Sequence, residues 1–183
     1  MKLYLCLLLS FALIPLVTNA KVLPEIFYGP YYEFDSENWF QYLSSLRTSV
    51  FHRFHHFKTF TIFFEENDDP TKFDIVQGTV DKNLTFYRGI ELGVPFSTVD
   101  RKNNKIKLIF TLKDEILYEQ PVDEDNKPTT FYPSEHAFVG TELVTTHFWH
   151  TRLWSGAYMR RKEVAKLYYY RGFKKTLWNR LFS

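Results

Sequence analysis

Lys105-Ile106-Lys107-Leu108-Ile109-Phe110-Thr111-Leu112-Lys113 puts Ile106, Leu108, Phe110 and Leu112 on one face and three lysines with Thr111 on the other, Ile109 being the exception. A period of two held over this length is the signature of a strand with one buried and one wet face. Arg101-Lys102-Asn103-Asn104 before it reads as a turn.

The same alternation extends upstream. Phe60, Ile62 and Phe64 alternate with Thr59, Thr61 and Phe63, so both faces carry strand formers and both are expected to be covered. Residues 72–80 and 84–92 read as two strands around the turn Asp81-Lys82-Asn83, with Leu84, Phe86, Ile90 and Leu92 on one face and Arg88 interrupting it. Before them the period changes. Asp35-Ser36-Glu37 resembles a helix start, and Trp39, Leu43, Leu46 and Val50 follow at spacings of four, three and four. That spacing predicts a helix over residues 36–52. Residues 21–32, with Pro24 and Gly29-Pro30, read as an extended arm or an edge strand.

Downstream, residues 114–133 contain Pro121, Pro128 and Pro133 and read as a long loop, with a short strand around Ile116-Leu117-Tyr118. Residues 138–149 read as a further strand, Ser155-Gly156 as a break, and residues 166–171 as a last strand ended by Gly172. A helix followed by several strands on short links excludes the alternating pattern of a parallel α/β sheet. The expected class is a β-rich α+β fold. An N-terminal helix precedes an antiparallel sheet that curls, either closed as a barrel or bent around the helix.

The ends of the chain carry different information. Lys2, the apolar run from Leu3 to Ile14 and the small residues before position 21 follow signal-peptide grammar, with cleavage expected after Ala20. The apolar run is shorter than the roughly 20 residues of a spanning helix. Residues 21–183 are then one exported domain. Cleavage removes Cys6, the single cysteine, so stability must come from apolar burial, which a chain of this length supports. Asn83-Leu84-Thr85 is an N-glycosylation acceptor triplet.

Charge is unevenly placed under a net charge of +2. Residues 21–151 carry 13 Lys/Arg against 20 Asp/Glu, whereas residues 152–183 carry nine against one. As a helix, residues 173–182 would gather Phe173, Leu177, Trp178, Leu181 and Phe182 on one half and Lys175, Thr176, Asn179 and Arg180 on the other, with Lys174 inside the apolar half. Such a basic amphipathic helix either docks on the sheet or lies at a membrane surface. Arg160, Arg161, Lys162, Lys174, Lys175 and Arg180 are the candidate contacts to an anionic lipid, glycan or protein. Nucleic acid is not expected as a partner of an exported chain with an acidic body.

Catalytic signatures are sparse. His52, His55 and His56 at helical spacing are candidate metal ligands, but a helix C-terminus favours imidazolium there without any metal. His147 and His150 would fall on opposite faces of a strand. No Gly-x-Ser-x-Gly elbow, phosphate-cradling glycine loop or EF-hand spacing occurs. No cofactor is implied. Aromatic residues are 19% of the chain, and Trp149, Trp154, Tyr158, Tyr168 and Tyr170 crowd its last third, as in walls of apolar pockets. The leading expectation is a secreted, non-enzymatic protein that binds a hydrophobic small molecule or an anionic partner. Two alternatives remain open. One is a secreted enzyme with a histidine-based site, with or without a metal. The other is an effector acting through a protein interface.

Overall fold

The computed structural model describes residues 21–45, 60–79, 82–99, 105–129, 133–152 and 160–172. Ten strands run in chain order: β1 (Gly29–Glu37), β2 (Phe60–Glu66), β3 (Phe73–Thr79), β4 (Lys82–Ile90), β5 (Pro95–Val99), β6 (Lys105–Lys113), β7 (Ile116–Val122), β8 (Ser134–Val139), β9 (Glu142–Arg152) and β10 (Arg160–Arg171). One helix, α1 (Trp39–Ser45), and a 3-10 turn at Glu25–Phe27 complete the described elements. Each strand pairs antiparallel with its sequence neighbour, except that β4 does not pair with β5. The ring is joined at its other side by β1 against β10, from Tyr31↔Arg171 to Glu37↔Lys166. The result is a nearly closed barrel. Across the β4–β5 gap the Tyr87 and Phe96 rings meet edge to face at 5.7 Å.

Several expectations are met. β6 spans the alternating stretch, with Leu108 and Phe110 buried. In β2 four consecutive residues, Thr61 to Phe64, are buried. Ile62 and Phe64 join the interior cluster, while Phe63 packs with Tyr32 and Val76 in a separate outer one.

Others are corrected. The helix does not open the sheet: β1 precedes it, and Ser36 and Glu37 pair with Leu167 and Lys166 instead of starting a turn. Long-range ladder bonds there outweigh the local capping preference. The start passes to Asn38, itself a favoured cap residue, which takes φ 54° and accepts the Tyr42 N–H through its carbonyl. The continuation expected to residue 52 lies outside the described residues. β1 is not an edge strand, since it is hydrogen-bonded on both sides.

The long loop expected from residue 114 is shorter. Asp114 and Glu115, both at positive φ, turn β6 into β7, which runs through Pro121 to Val122. Proline is tolerated because β7 pairs with β8 only over Leu117 to Glu119; at position 121 the carbonyl accepts the Thr129 N–H at 3.1 Å and no ladder bond to β8 needs a donor. The strand expected over residues 138–149 is a hairpin, β8 turning into β9 at Gly140-Thr141. In β4 a bulge shifts the register between Phe73↔Ile90 and Ile75↔Tyr87. Gly89, at φ 68°, supplies the left-handed residue and donates its N–H to Asp74 Oδ1 at 2.8 Å. The shift turns Tyr87 inward and leaves Phe86 exposed. The amphipathic helix expected over residues 173–182 lies outside the described residues.

One end of the barrel is plugged by the chain before β1. Leu23 and Phe27 are buried, and Phe27 packs edge to face on Phe64 at 5.4 Å and Phe138 at 5.0 Å. Tyr31 donates its hydroxyl to the Ile26 carbonyl, and Leu23 N donates to Tyr28 Oη at 3.2 Å. Phe73 and Phe110 add a further edge-to-face pair at 6.0 Å. Phe110→Ala, which empties a fully buried site, should cost about 3–5 kcal/mol in denaturant unfolding. Gly172→Ala should also destabilise the fold, because a Cβ there would sit 1.9 Å from the Tyr32 ring.

Candidate functional site: the barrel interior

The interior has two halves. Toward the plug, Phe27, Tyr31, Phe64, Phe73, Phe110 and Leu117 are sealed from solvent. Toward the other end, Phe60, Gln77, Thr98, Ile106 and Ser134 occupy inward register positions and are only half-buried, while His147, also inward, has its ring covered by Trp39 and Tyr42. The described inward side chains at this end are therefore less tightly enclosed than the packed apolar floor below them. α1 lies across β9 and β10 at this end, anchored by Asn38 Nδ2 donating to the Val164 carbonyl at 3.0 Å.

A polar array stands between the two halves. Leu117, His136 and Thr145 lie side by side on β7, β8 and β9, and Glu119 and Ser134 occupy the next pair. His136 is buried. Its Nδ1 lies 3.0 Å from Thr145 Oγ1 and its Nε2 3.4 Å from Glu119 Oε2. Ser134 Oγ lies 3.0 Å from His147 Nδ1, and a hydroxyl can serve either tautomer. Tyr42 of α1 stacks on the His147 ring at 5.1 Å, and Trp39 sits 5.2 Å from it. Burial, with His136 beside it, holds the His147 imidazole down to about 3. Burial, with the Glu119 charge behind it, pushes the Tyr42 phenol up to about 12. Burial also raises the Glu33 carboxyl, which accepts the Phe60 N–H at 3.0 Å. Such an array can fix a polar group by hydrogen bonds while the half-buried walls take an apolar chain.

The candidates from sequence distribute differently. Tyr168 and Tyr170 do not face this space; Tyr169 between them does. Tyr168 donates to Glu37 Oε1 at 2.7 Å, and Tyr170, 50% exposed, tilts against Tyr32 and Phe34 on the outside. Trp149 belongs to β9, but the placement of its side chain is not described, and Trp154 and Tyr158 lie outside the described residues. Arg160, Arg161 and Lys162 open β10, paired with Arg152, Thr151 and His150. Asn83 lies in β4 rather than in the expected turn. Lys174, Lys175 and Arg180, like His52, His55 and His56, lie outside the described residues. Among the described residues no three His, Cys, Asp or Glu side chains gather as metal ligands would. Sequence reading missed Glu119, Ser134, His136 and Thr145. Their signal was parity, because each alternates in register with an apolar interior residue of its own strand.

Outside the barrel, at the plugged end, a cleft of about 660 Å³ is lined by Glu25, Glu65, Glu66, Phe63 and Arg171 among others. Its acidic rim suits neither an apolar chain nor an anion.

No family model matches the chain. A Caenorhabditis elegans protein described as "Fatty acid-binding protein homolog 2" is 34% identical over 141 residues, which is 75% of this chain and 85% of that protein. The chain belongs to the fatty acid-binding protein family. A second C. elegans relative, "Fatty acid-binding protein homolog 3", is 31% identical over 137 residues, 72% of this chain and 82% of its own length. Among solved structures, "As-p18, an extracellular fatty acid binding protein" shares the fold with a TM-score of 0.66 at 24% identity, over 83% of this chain and all of that one. "Human cRBP IV" does so with a TM-score of 0.60 at 18% identity, over 81% of this chain and all of that one. The ten-stranded, nearly closed barrel with its short helix is the fold of this family.

Within this member of the fatty acid-binding protein family the array has a pH signature. Above an imidazole's ordinary 6.5, neither the folded nor the unfolded state holds the His147 proton. As pH falls, the unfolded chain takes it up first, so folded-state stability drops progressively between 6.5 and about 3. Urea unfolding at stepped pH should show this loss, and His147→Phe should flatten it. In NMR titration the His147 ring signals should stay unmoved from pH 8 to 5.

Proposed function

We propose that this protein is an exported carrier that holds one lipid molecule inside its barrel and performs no chemistry on it. The reading rests chiefly on the family relationship, since the chain matches most of the length of a relative described as a fatty acid-binding protein homolog. The half-buried interior above an apolar floor supports it: an acyl chain would exchange water for Phe60, Ile106 and neighbouring walls, at about 0.8 kcal/mol per buried CH₂. Export is supported by the leader-like residues 1–20 and by the likeness to an extracellular member of the fold. Asn83 is the candidate glycan acceptor. Trp149, Trp154 and Tyr158 are the aromatic candidates for contact with that ligand, on the strength of residue type alone.

The basic tail fits delivery. Arg160, Arg161, Lys162, Lys174, Lys175 and Arg180 would draw an otherwise acidic body to anionic lipid surfaces, where ligand can be exchanged. An apolar, environment-sensitive fluorophore should bind the purified protein one to one and be displaced by long-chain lipids. If the fluorophore does not bind and solvent extraction of the purified protein yields no lipid, the carrier reading fails. Deleting residues 173–183 should lower retention on anionic vesicles severalfold at low salt, leave fluorophore binding intact and change nothing on neutral vesicles.

A further inference from the structure

We infer that residues 173–183 pack on the outside of the barrel, their apolar half laid over β1, β2 and β3 and Lys174 set at the Glu65 carboxylate. The inference goes beyond the carrier reading and holds with or without a bound lipid.

The sheet face that needs a cover is the outer one. Tyr32 pairs with Thr61 on one side and Tyr170 on the other, and Pro30 pairs with Phe63, opposite in parity to the inward Tyr31, Ile62 and Tyr169. Tyr32, Thr61 and Phe63 therefore point out of the barrel, yet they are only 8%, 2% and 8% exposed. A sheet face is closed to water this far by a layer packed on it. Among the described elements none is layered there; α1 lies across β9 and β10. Among the described residues, the hydroxyls of Tyr32 and Thr61 are buried without a hydrogen-bond partner. A polar cover would have bonded them, so the fitting cover is apolar.

Residues 173–183 fit that layer by position, reach and chemistry. Gly172 N donates to the Pro30 carbonyl at 2.9 Å, and a Cβ on Gly172 would sit 1.9 Å from the Tyr32 ring, so the chain leaves β10 beside the covered face. As a helix the segment would span about 16 Å, or roughly three strand spacings, enough to cross β1, β2 and β3. Phe173, Leu177, Trp178, Leu181 and Phe182 would form its apolar half, interrupted by Lys174. That interruption has a counterpart in the body. Gly172 lines the cleft at the plugged end together with Glu25, Glu65 and Glu66. Lys21 bridges Glu25 and Glu66, and Arg171 is turned to the Tyr28 carbonyl at 2.7 Å. Glu65, on the outward parity of β2 with Phe63, has no ion pair among the described residues. A lysine two positions past Gly172 meets that carboxylate while the apolar half covers Tyr32 and Phe63. Residues 46–59 and 153–159 join the barrel at its opposite end. Lys175 and Arg180 are left facing outward, so docking and attraction to anionic vesicles do not exclude each other.

The test is made on the exported chain, isotope-labelled for NMR. The Tyr32 and Phe63 rings should show nuclear Overhauser contacts to the Leu177 and Leu181 methyl groups. Contacts from those rings to residues 1–20, 46–59 or 153–159 instead, or between molecules in a mixed-label sample, overturn the inference. A second readout is alkylation of Val76→Cys, whose side chain packs with Tyr32 and Phe63. Adding Leu177→Asn with Leu181→Asn should speed it about tenfold or more by opening the cover. Alkylation of the exposed control Val139→Cys should not change. Lys174→Glu should speed the Val76→Cys reaction about two- to fivefold, the scale of one exposed ion pair, and Glu65→Lys added to it should restore the slower rate. Equal rates with and without the two leucines overturn the docking, and a charge swap that restores nothing overturns the Lys174–Glu65 contact. If Val76→Cys does not fold, the ring contacts decide alone.

Discussion

The ladder between β1 and β10 keeps the ten strands rolled. Its partners lie far apart in the chain, Tyr31 against Arg171 at one end and Glu37 against Lys166 at the other. Closing so long a loop costs entropy that only a completed structure can offset. Four further bonds fasten the seam: Asn38 Nδ2 to the Val164 carbonyl, Tyr168 Oη to Glu37, Arg171 Nη2 to the Tyr28 carbonyl at 2.7 Å, and Gly172 N to the Pro30 carbonyl at 2.9 Å. With the seam made, β1 and β10 expose no unpaired edge. The remaining edges, β4 and β5, face each other across a gap bridged by the Tyr87 and Phe96 rings.

Rolling the sheet gives each strand one face turned to a confined interior. On most strands that face is apolar and packs tightly near the plug. On β7, β8 and β9 it also carries Glu119, Ser134, His136, Thr145 and His147, which would be expensive to bury alone. They are placed in pairs across neighbouring strands, so each meets a partner at 3.0–3.4 Å. A connected polar patch on an otherwise greasy wall can orient a ligand without demanding that the whole cavity be polar.

The readable parts of the fold were those in which local pattern and final burial agree. The alternation in β6 and the two-sided β2 stretch could be taken straight from the chain because neighbours in sequence determine which face each side chain occupies. Three elements resisted. Asp35-Ser36-Glu37 imitates a helix cap, yet pairing with β10 draws Ser36 and Glu37 into a strand. Gly140-Thr141 hides a hairpin inside what reads as one continuous strand. The bulge at Gly89 reverses parity within β4, so Phe86 ends outside and Tyr87 inside. The aromatic crowd near the C-terminus was likewise visible, but not that Tyr169 faces inward while Tyr168 and Tyr170 face out.

By itself, the sequence determined that the chain is β-rich, where its cleanest strands lie, that its single cysteine sits in the leader-like segment, and that its positive charge gathers in the last fifth. These are properties of composition and short-range periodicity, and no partner strand is needed to define them. Tertiary structure alone decided that the sheet closes, which parity faces inward after each bulge and hairpin, and that Glu119, Ser134, His136, Thr145 and His147 meet on three adjacent strands. Such meetings depend on ladder register, and register is set cooperatively by the whole barrel, not by any stretch of chain in isolation.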